Sequence, residues 1–194
     1  MSHTVPETAP ESGYADAMPV SAHDVAAELR DRLPGLPKKK LHKLLYYCQG
    51  HHLAFSGDPL FWESVTAWDM GPVVGQLWKA EDGAGPRGRE RDLDERALNT
   101  IGYVVSRYGA LTGRDLEILS HGEEPWRRAD IGRAPGGTAR IEPRWLADWF
   151  GAEDGDTRRR SVTLPPGWLD GVEDRRRLPA AGDDATALRS LLTG

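Results

Sequence analysis

A single cysteine, Cys48, stands in 194 residues. No intramolecular disulfide can form, which suits a reducing, cytoplasmic setting. Long hydrophobic runs are missing as well: nothing approaches the ~18 consecutive apolar residues of a membrane-spanning helix. The first twenty residues, MSHTVPETAPESGYADAMPV, have neither a basic nor an apolar stretch, so no secretory signal is expected. Excess basic charge is absent too. Thirty acidic against twenty-five basic side chains give a net charge of −5. Residues 21–150 are nearly balanced, with 19 acids and 18 bases, which is not the footprint of a dedicated nucleic-acid binder. Neither G-x-S-x-G, G-x-x-x-x-G-K-[ST] nor H-E-x-x-H occurs, and GAGPRG lacks both a preceding strand and the phosphate-loop lysine.

Residues 1–20 carry prolines, small polar residues and no apolar period, and are expected to be disordered. Ser21 and Asp24 have capping-box spacing ahead of Val25, Ala26, Leu29 and Leu33. After LPGLP, a long helix is expected through KKKLHKLLYYCQGHHLAFS, with Pro37 in its first turn and Gly57 as its stop. Its apolar stripe is Leu41, Leu44, Leu45, Cys48, His52 and Phe55. GDPLF reads as a turn and ESVTAW as a short strand. Gly71-Pro72 then opens a helix carrying Val73, Val74, Leu77 and Trp78. EDGAGPRGRERD is a solvated loop. A strong helical stripe follows in Leu98, Ile101, Val104, Val105 and Tyr108, closed by Gly109. Thr112 with Asp115 repeats the capping-box spacing, Pro125-Trp126 starts a short turn, and PRWLADWF ends the domain before Gly151. Six of the seven tryptophans lie between Trp62 and Trp149, which places the core in that stretch. The fold expected is mainly α: a compact multi-helix domain over 21–151 with a small β element. It is flanked by the disordered segment 1–20 and a loosely ordered Arg/Asp/Pro-rich tail, 152–194. In that tail Ala187, Leu188, Leu191 and Leu192 could form a short terminal helix.

The residues that could carry chemistry are few. Cys48 and His52 share one helical face and are possible soft-metal ligands, but that face is the apolar stripe and no second ligand pair is present. Packing is the stronger reading. Cys48 with His51 is the candidate nucleophile pair, yet a mid-helix cysteine aimed at a core meets no substrate. His42 and His121 are the other residues that could suggest catalysis or metal, and no site emerges from them. No catalytic residue, no metal site and no cofactor is assigned. Lys38, Lys39, Lys40 and Lys43 begin the second helix after a short break, an arrangement that could be a helix-turn-helix. Its second helix starts a buried stripe at once, so a solvated edge is favoured over DNA contact. Arg158–Arg160 and Arg175–Arg177 punctuate the tail, read as solvated disorder or as a partner-binding or protease-accessible segment.

Taken together, several segments resemble the Panacea domain. Its signature is matched by Lys40, Leu41, Lys43, Leu44, Leu45, Tyr46 and Tyr47, then by Gly57, Pro59, Leu60, Phe61 and Glu63. Ala67, Trp68, Gly71, Pro72 and Val73 continue it, and Tyr108-Gly109, Leu116, Ser120-His121 and Pro125-Trp126 agree with the second half. The resemblance covers about residues 21–151, with His42 standing where glutamine is common. It implies an antitoxin of a bacterial or phage toxin–antitoxin system, not an enzyme, whose partner is a cognate toxin encoded by the adjacent gene and bound by direct protein–protein contact. One related member is a proteolytic adaptor, so delivery of a partner to an AAA+ protease of the ClpXP type is an alternative. A DNA-binding autoregulator is another. No membrane partner is expected. Leu44, Leu45, Trp68 and Trp126 read as core, and Gly71-Pro72 as the turn into a helix. Lys40, Lys43, Tyr46, Tyr47 and His121 carry polar ends and are candidates for partner contact or a shared polar network. Trp68, Gly71, Pro72, Pro125 and Trp126 complete the set of signature candidates.

Overall fold

The computed structural model describes the backbone of residues 19–160 and side chains through residue 152. The expectations for residues 1–18 and 161–194, including Arg175–Arg177 and the terminal Leu cluster, lie outside the described residues. The chain divides into two units, Met1–Asp154 and Gly155–Gly194. Of the second unit, residues 155–160 are helical.

The first unit is built around one helix. Ser21 caps α1 (Ala22–Arg32) with a reciprocal box to Asp24. The cap is reinforced from far along the chain: Glu63 accepts from the Ser21 hydroxyl and the Ala22 N–H, both at 2.8 Å. Helix α2 (Lys38–Ser56) follows, with Pro37 as its N-cap rather than in its first turn. Gly57 ends it in the left-handed region, φ 82°, where a side chain would be strained. Every residue from Leu41 to Leu53 is buried. α2 is therefore not a helix with one apolar stripe but a rod packed on all sides, against α1, β2, α4 and α5. Phe55, expected on the stripe, lies beyond that stretch and is 44% exposed.

Two strands form a hairpin, β1 (Val65–Trp68) and β2 (Gly71–Val74), and β3 (Ala139–Arg140) pairs with the other side of β1. The expectation that Gly71-Pro72 opens a helix is corrected here: those residues are strand, and α3 begins at Gly75 (Gly75–Ala84). Register explains why proline is tolerated. Trp68 pairs with Gly71 across a two-residue turn, which puts Ala67↔Pro72 and Val65↔Val74 at the next and third positions of the ladder. Hydrogen-bonded and open pairs alternate in an antiparallel ladder, so Pro72 falls at an open pair on an edge strand and forfeits no ladder bond. The β-branched Val73-Val74 that follow also favour strand.

Helix α4 (Glu95–Tyr108) is capped by Asp94, and α5 (Gly113–Gly122) by the Thr112–Asp115 box. Pro125-Trp126 lie inside a short helix, α6 (Glu124–Asp130), rather than an isolated turn. The last helix, α7 (Pro143–Arg160), runs through Gly151 instead of stopping before it; residues 158–160 are thus helical backbone. The segment expected as a solvated loop, residues 81–92, is helical at its start, where α3 runs to Ala84, and is pinned near its end. Asp24 accepts from the N–H groups of Glu90 and Arg91, and Arg89 bonds Glu28 at 2.9 Å. Val20 likewise leaves the expected disorder, bridging in parallel to Phe61. The core is made largely of leucine, valine and tyrosine side chains, while Trp62 is 56% exposed and Trp68 only half-buried.

Candidate functional site

Two polar seams tie the surrounding elements to α2. The first lies along the outer edge of β2. At the open pairs of the ladder, the Pro72 carbonyl and the Val74 N–H point away from β1, where an uncovered edge would be an aggregation hazard. Lys43 Nζ donates to the Pro72 carbonyl at 3.1 Å, and the Val74 N–H donates to His42 Nδ1 at 3.2 Å. Both side chains are buried. Burial, aided by Lys43, Lys38 and Arg30, pushes the His42 imidazole down to about 3. The ring is neutral, with its proton on Nε2, so that Nδ1 can accept. A glutamine oxygen would offer the same acceptor. Burial also lowers Lys43 to about 8, assisted by Lys39 and opposed by Glu117.

Gly71 is part of this seam. Its φ is 95°, and a Cβ there would sit 2.8 Å from Lys43 Cε and 3.1 Å from Ser120 Oγ. Glycine is required twice over, by conformation and by the closeness of the lysine.

The second seam joins α2 to the α5–α6 elbow. Tyr46 and Tyr47 are fully buried, and their hydroxyls converge on one carboxylate. Tyr46 donates to Glu123 Oε2 at 2.6 Å and Tyr47 to Glu123 Oε1 at 3.0 Å. Burial, then the Glu123 charge, raises the Tyr46 phenol well above its ordinary range. Glu123 was missed by sequence reasoning. The available signal was an acidic residue two positions before Pro125, at the start of a helix. Around the hydroxyls the rings pack tightly, with Tyr47 stacked on Tyr108 at 4.0 Å and edge-on to Phe150 at 5.9 Å.

The remaining candidates are placed around these seams. Lys40 donates to the Gly109 carbonyl at 2.7 Å. Lys38 bonds Asp82 and the Trp78 carbonyl and sits 4.1 Å over the Trp78 ring. Three of the four lysines considered as a DNA-facing edge are thus engaged inside the chain. Trp68 Nε1 donates to Thr66 Oγ1 at 2.9 Å. Pro125 and Trp126 are buried in α6, and Trp126 packs on His121 with ring centroids 4.0 Å apart. The signature residues are therefore brought together as contacts between elements rather than as one open pocket. Cys48 is fully buried, and burial pushes its thiol well above the usual range, so it stays protonated and out of a substrate's reach. His51 meets the Tyr108 hydroxyl at 3.0 Å, not Cys48. Among the described residues no group of three His, Cys, Asp or Glu side chains could hold a metal ion, and no helix is long and apolar enough to cross a membrane.

What remains at the surface is of another kind. Ile118 and Leu119 on α5, Ile131 after α6, Trp62 and Phe55 are large apolar side chains left exposed. Large apolar and aromatic side chains are the residue types that anchor protein–protein interfaces.

Residues 41–127 match the family described as "Antitoxin SocA-like, Panacea domain". The protein named Antitoxin SocA from Caulobacter vibrioides (strain NA1000 / CB15N) is 27% identical over 185 aligned residues, which span 82% of this chain and 95% of that protein. No solved structure matches the chain.

Proposed function

We propose that this chain is the antitoxin of a toxin–antitoxin pair and neutralises its toxin by direct protein–protein contact in the cytoplasm. The observation that carries the reading is the Panacea match over residues 41–127, and the relative named Antitoxin SocA supports it. The physical arrangement is in keeping: sequestration needs a rigid surface with apolar and aromatic anchors, not tuned acids and bases. Within this reading, Lys40, Lys43, Tyr46, Tyr47, Gly71, Pro72 and Trp126 are framework. They hold β2, the end of α4 and the α5–α6 elbow around α2, and the toxin is met by side chains outside that set. The Panacea-like unit is taken as residues 21–151.

The test is co-expression with the adjacent gene under an inducible promoter. The adjacent product alone should stop growth, and this chain should restore it in both wild-type and protease-deficient hosts. An adjacent product that is harmless, or toxic and not rescued, contradicts the pairing. Rescue lost in the protease-deficient host contradicts neutralisation by contact alone.

A further inference from the structure

The C-terminal turn of α2 and the first turns of α4 enclose an open cavity of about 470 Å³, lined by His52, Phe55, Ser56, Arg96, Asn99 and Thr100. Its volume falls within the range of ordinary ligand sites. The hydrogen-bond directions in its wall can be worked out. The Thr100 hydroxyl donates its one proton to the Arg96 carbonyl at 2.9 Å. It can therefore only accept from His52, whose Nδ1 lies 2.9 Å away. His52 carries its proton on Nδ1, and burial lowers its basicity further, so the ring is neutral. The nitrogen left over, Nε2, is a lone-pair acceptor. Asp94 and Asp58 raise the imidazole's basicity and Arg96 lowers it, while Arg96 is the one charged side chain in the cavity's lining.

The apolar wall is aromatic. Phe55, 44% exposed, stacks against His51 at 5.8 Å and meets Tyr103 edge-on at 5.5 Å. A further ring placed on Phe55 would extend this row in a favoured geometry, with an N–H or O–H able to reach the acceptor. We propose that this cavity is an anchor pocket for an aromatic side chain bearing a hydrogen-bond donor, a tyrosine or tryptophan of the protein partner, with Phe55 as the stacking surface and His52 as the acceptor. The partner's identity as a toxin rests on the function proposed above; the pocket's chemistry does not.

The direct test titrates the isotope-labelled full chain with N-acetyl-tyrosinamide at millimolar concentration, following the His52 imidazole and the Phe55 ring by NMR. Saturable shifts at both are expected. N-acetyl-phenylalaninamide, which lacks the donor, should bind about fivefold more weakly, the loss expected for one neutral hydrogen bond. Asn99→Trp, at an exposed position that leaves the fold intact by circular dichroism, should abolish the shifts by filling the cavity. Equal binding of the two amides, absence of shifts, or an unchanged titration in Asn99→Trp would overturn the proposal. In cells, Asn99→Trp should lose rescue from the adjacent gene's product. Full rescue by that variant overturns the pocket's role in docking while the antitoxin reading stands. Failure of the unmodified chain to rescue overturns the antitoxin reading, and the NMR titration then decides the pocket alone.

Discussion

The two ends of α2 differ in how their polar side chains are used. In the first half, Lys38, Lys40, His42, Lys43, Tyr46 and Tyr47 all reach partners on other elements. At the far end, His52 holds Thr100 with one nitrogen and turns a neutral ring to an open cavity, beside an exposed phenylalanine. One helix is therefore tied in by its polar side chains at one end and borders an open cavity at the other. A residue type does not announce its role: the lysines and tyrosines that look like surface chemistry are structural ties, and the ring that looks like core stands in the open.

Substitutions can sharpen this contrast. The largest effect is expected at Glu123, because Glu123→Ala leaves two buried phenols without their acceptor. Each unsatisfied buried donor costs about 1–3 kcal/mol, so denaturant unfolding should show a loss of about 3 kcal/mol, with Glu123→Gln retaining part of it. Next comes His42. Its folded-state pKa lies near 3 against an ordinary 6.5, so the unfolded chain takes up a proton that the native state refuses. The associated stability is intact above pH 6.5 and is lost as pH falls toward 3. Between pH 6.5 and 4 the loss is of order 2–3 kcal/mol, and His42→Gln should flatten that part of the stability profile while keeping the Val74 contact. Gly71→Ala should cost about 2 kcal/mol, combining positive-φ strain with a clash against Lys43. The smallest effect is expected at the other end of the helix, where Phe55→Ala should change stability by less than about 1 kcal/mol because nearly half of the ring is already in solvent.

Much of the framework was legible in the residues. Both capping boxes, the long second helix and its glycine stop follow from local chemistry that acts over three or four residues. Gly71-Pro72 misled for the opposite reason. The pair is compatible with a helix start by local rules, and only pairing with β1, together with cover from His42 and Lys43, makes it a strand. The all-round burial of α2 was hidden because its polar residues break the apolar pattern; the partners of Lys43 and Tyr46 come 29 and 77 residues further along. Glu123 was missed for the same reason, its position before Pro125 being the one local signal. The Glu123-Glu124 pair carries no sign that two tyrosines on another helix will converge on the first of them. The signature of the family marked the right segments without saying that their polar ends face inward.

The framework role of the signature tyrosines is open to a direct measurement. The double substitution Tyr46→Phe and Tyr47→Phe removes both hydroxyls and keeps both rings. Its Tm and its Kd for the purified product of the adjacent gene should be measured side by side, at a temperature where both proteins are folded. The account predicts a lowered Tm with a Kd within about twofold of the unmodified chain. An unchanged Tm with a Kd weakened tenfold or more would place those hydroxyls at the toxin and contradict it.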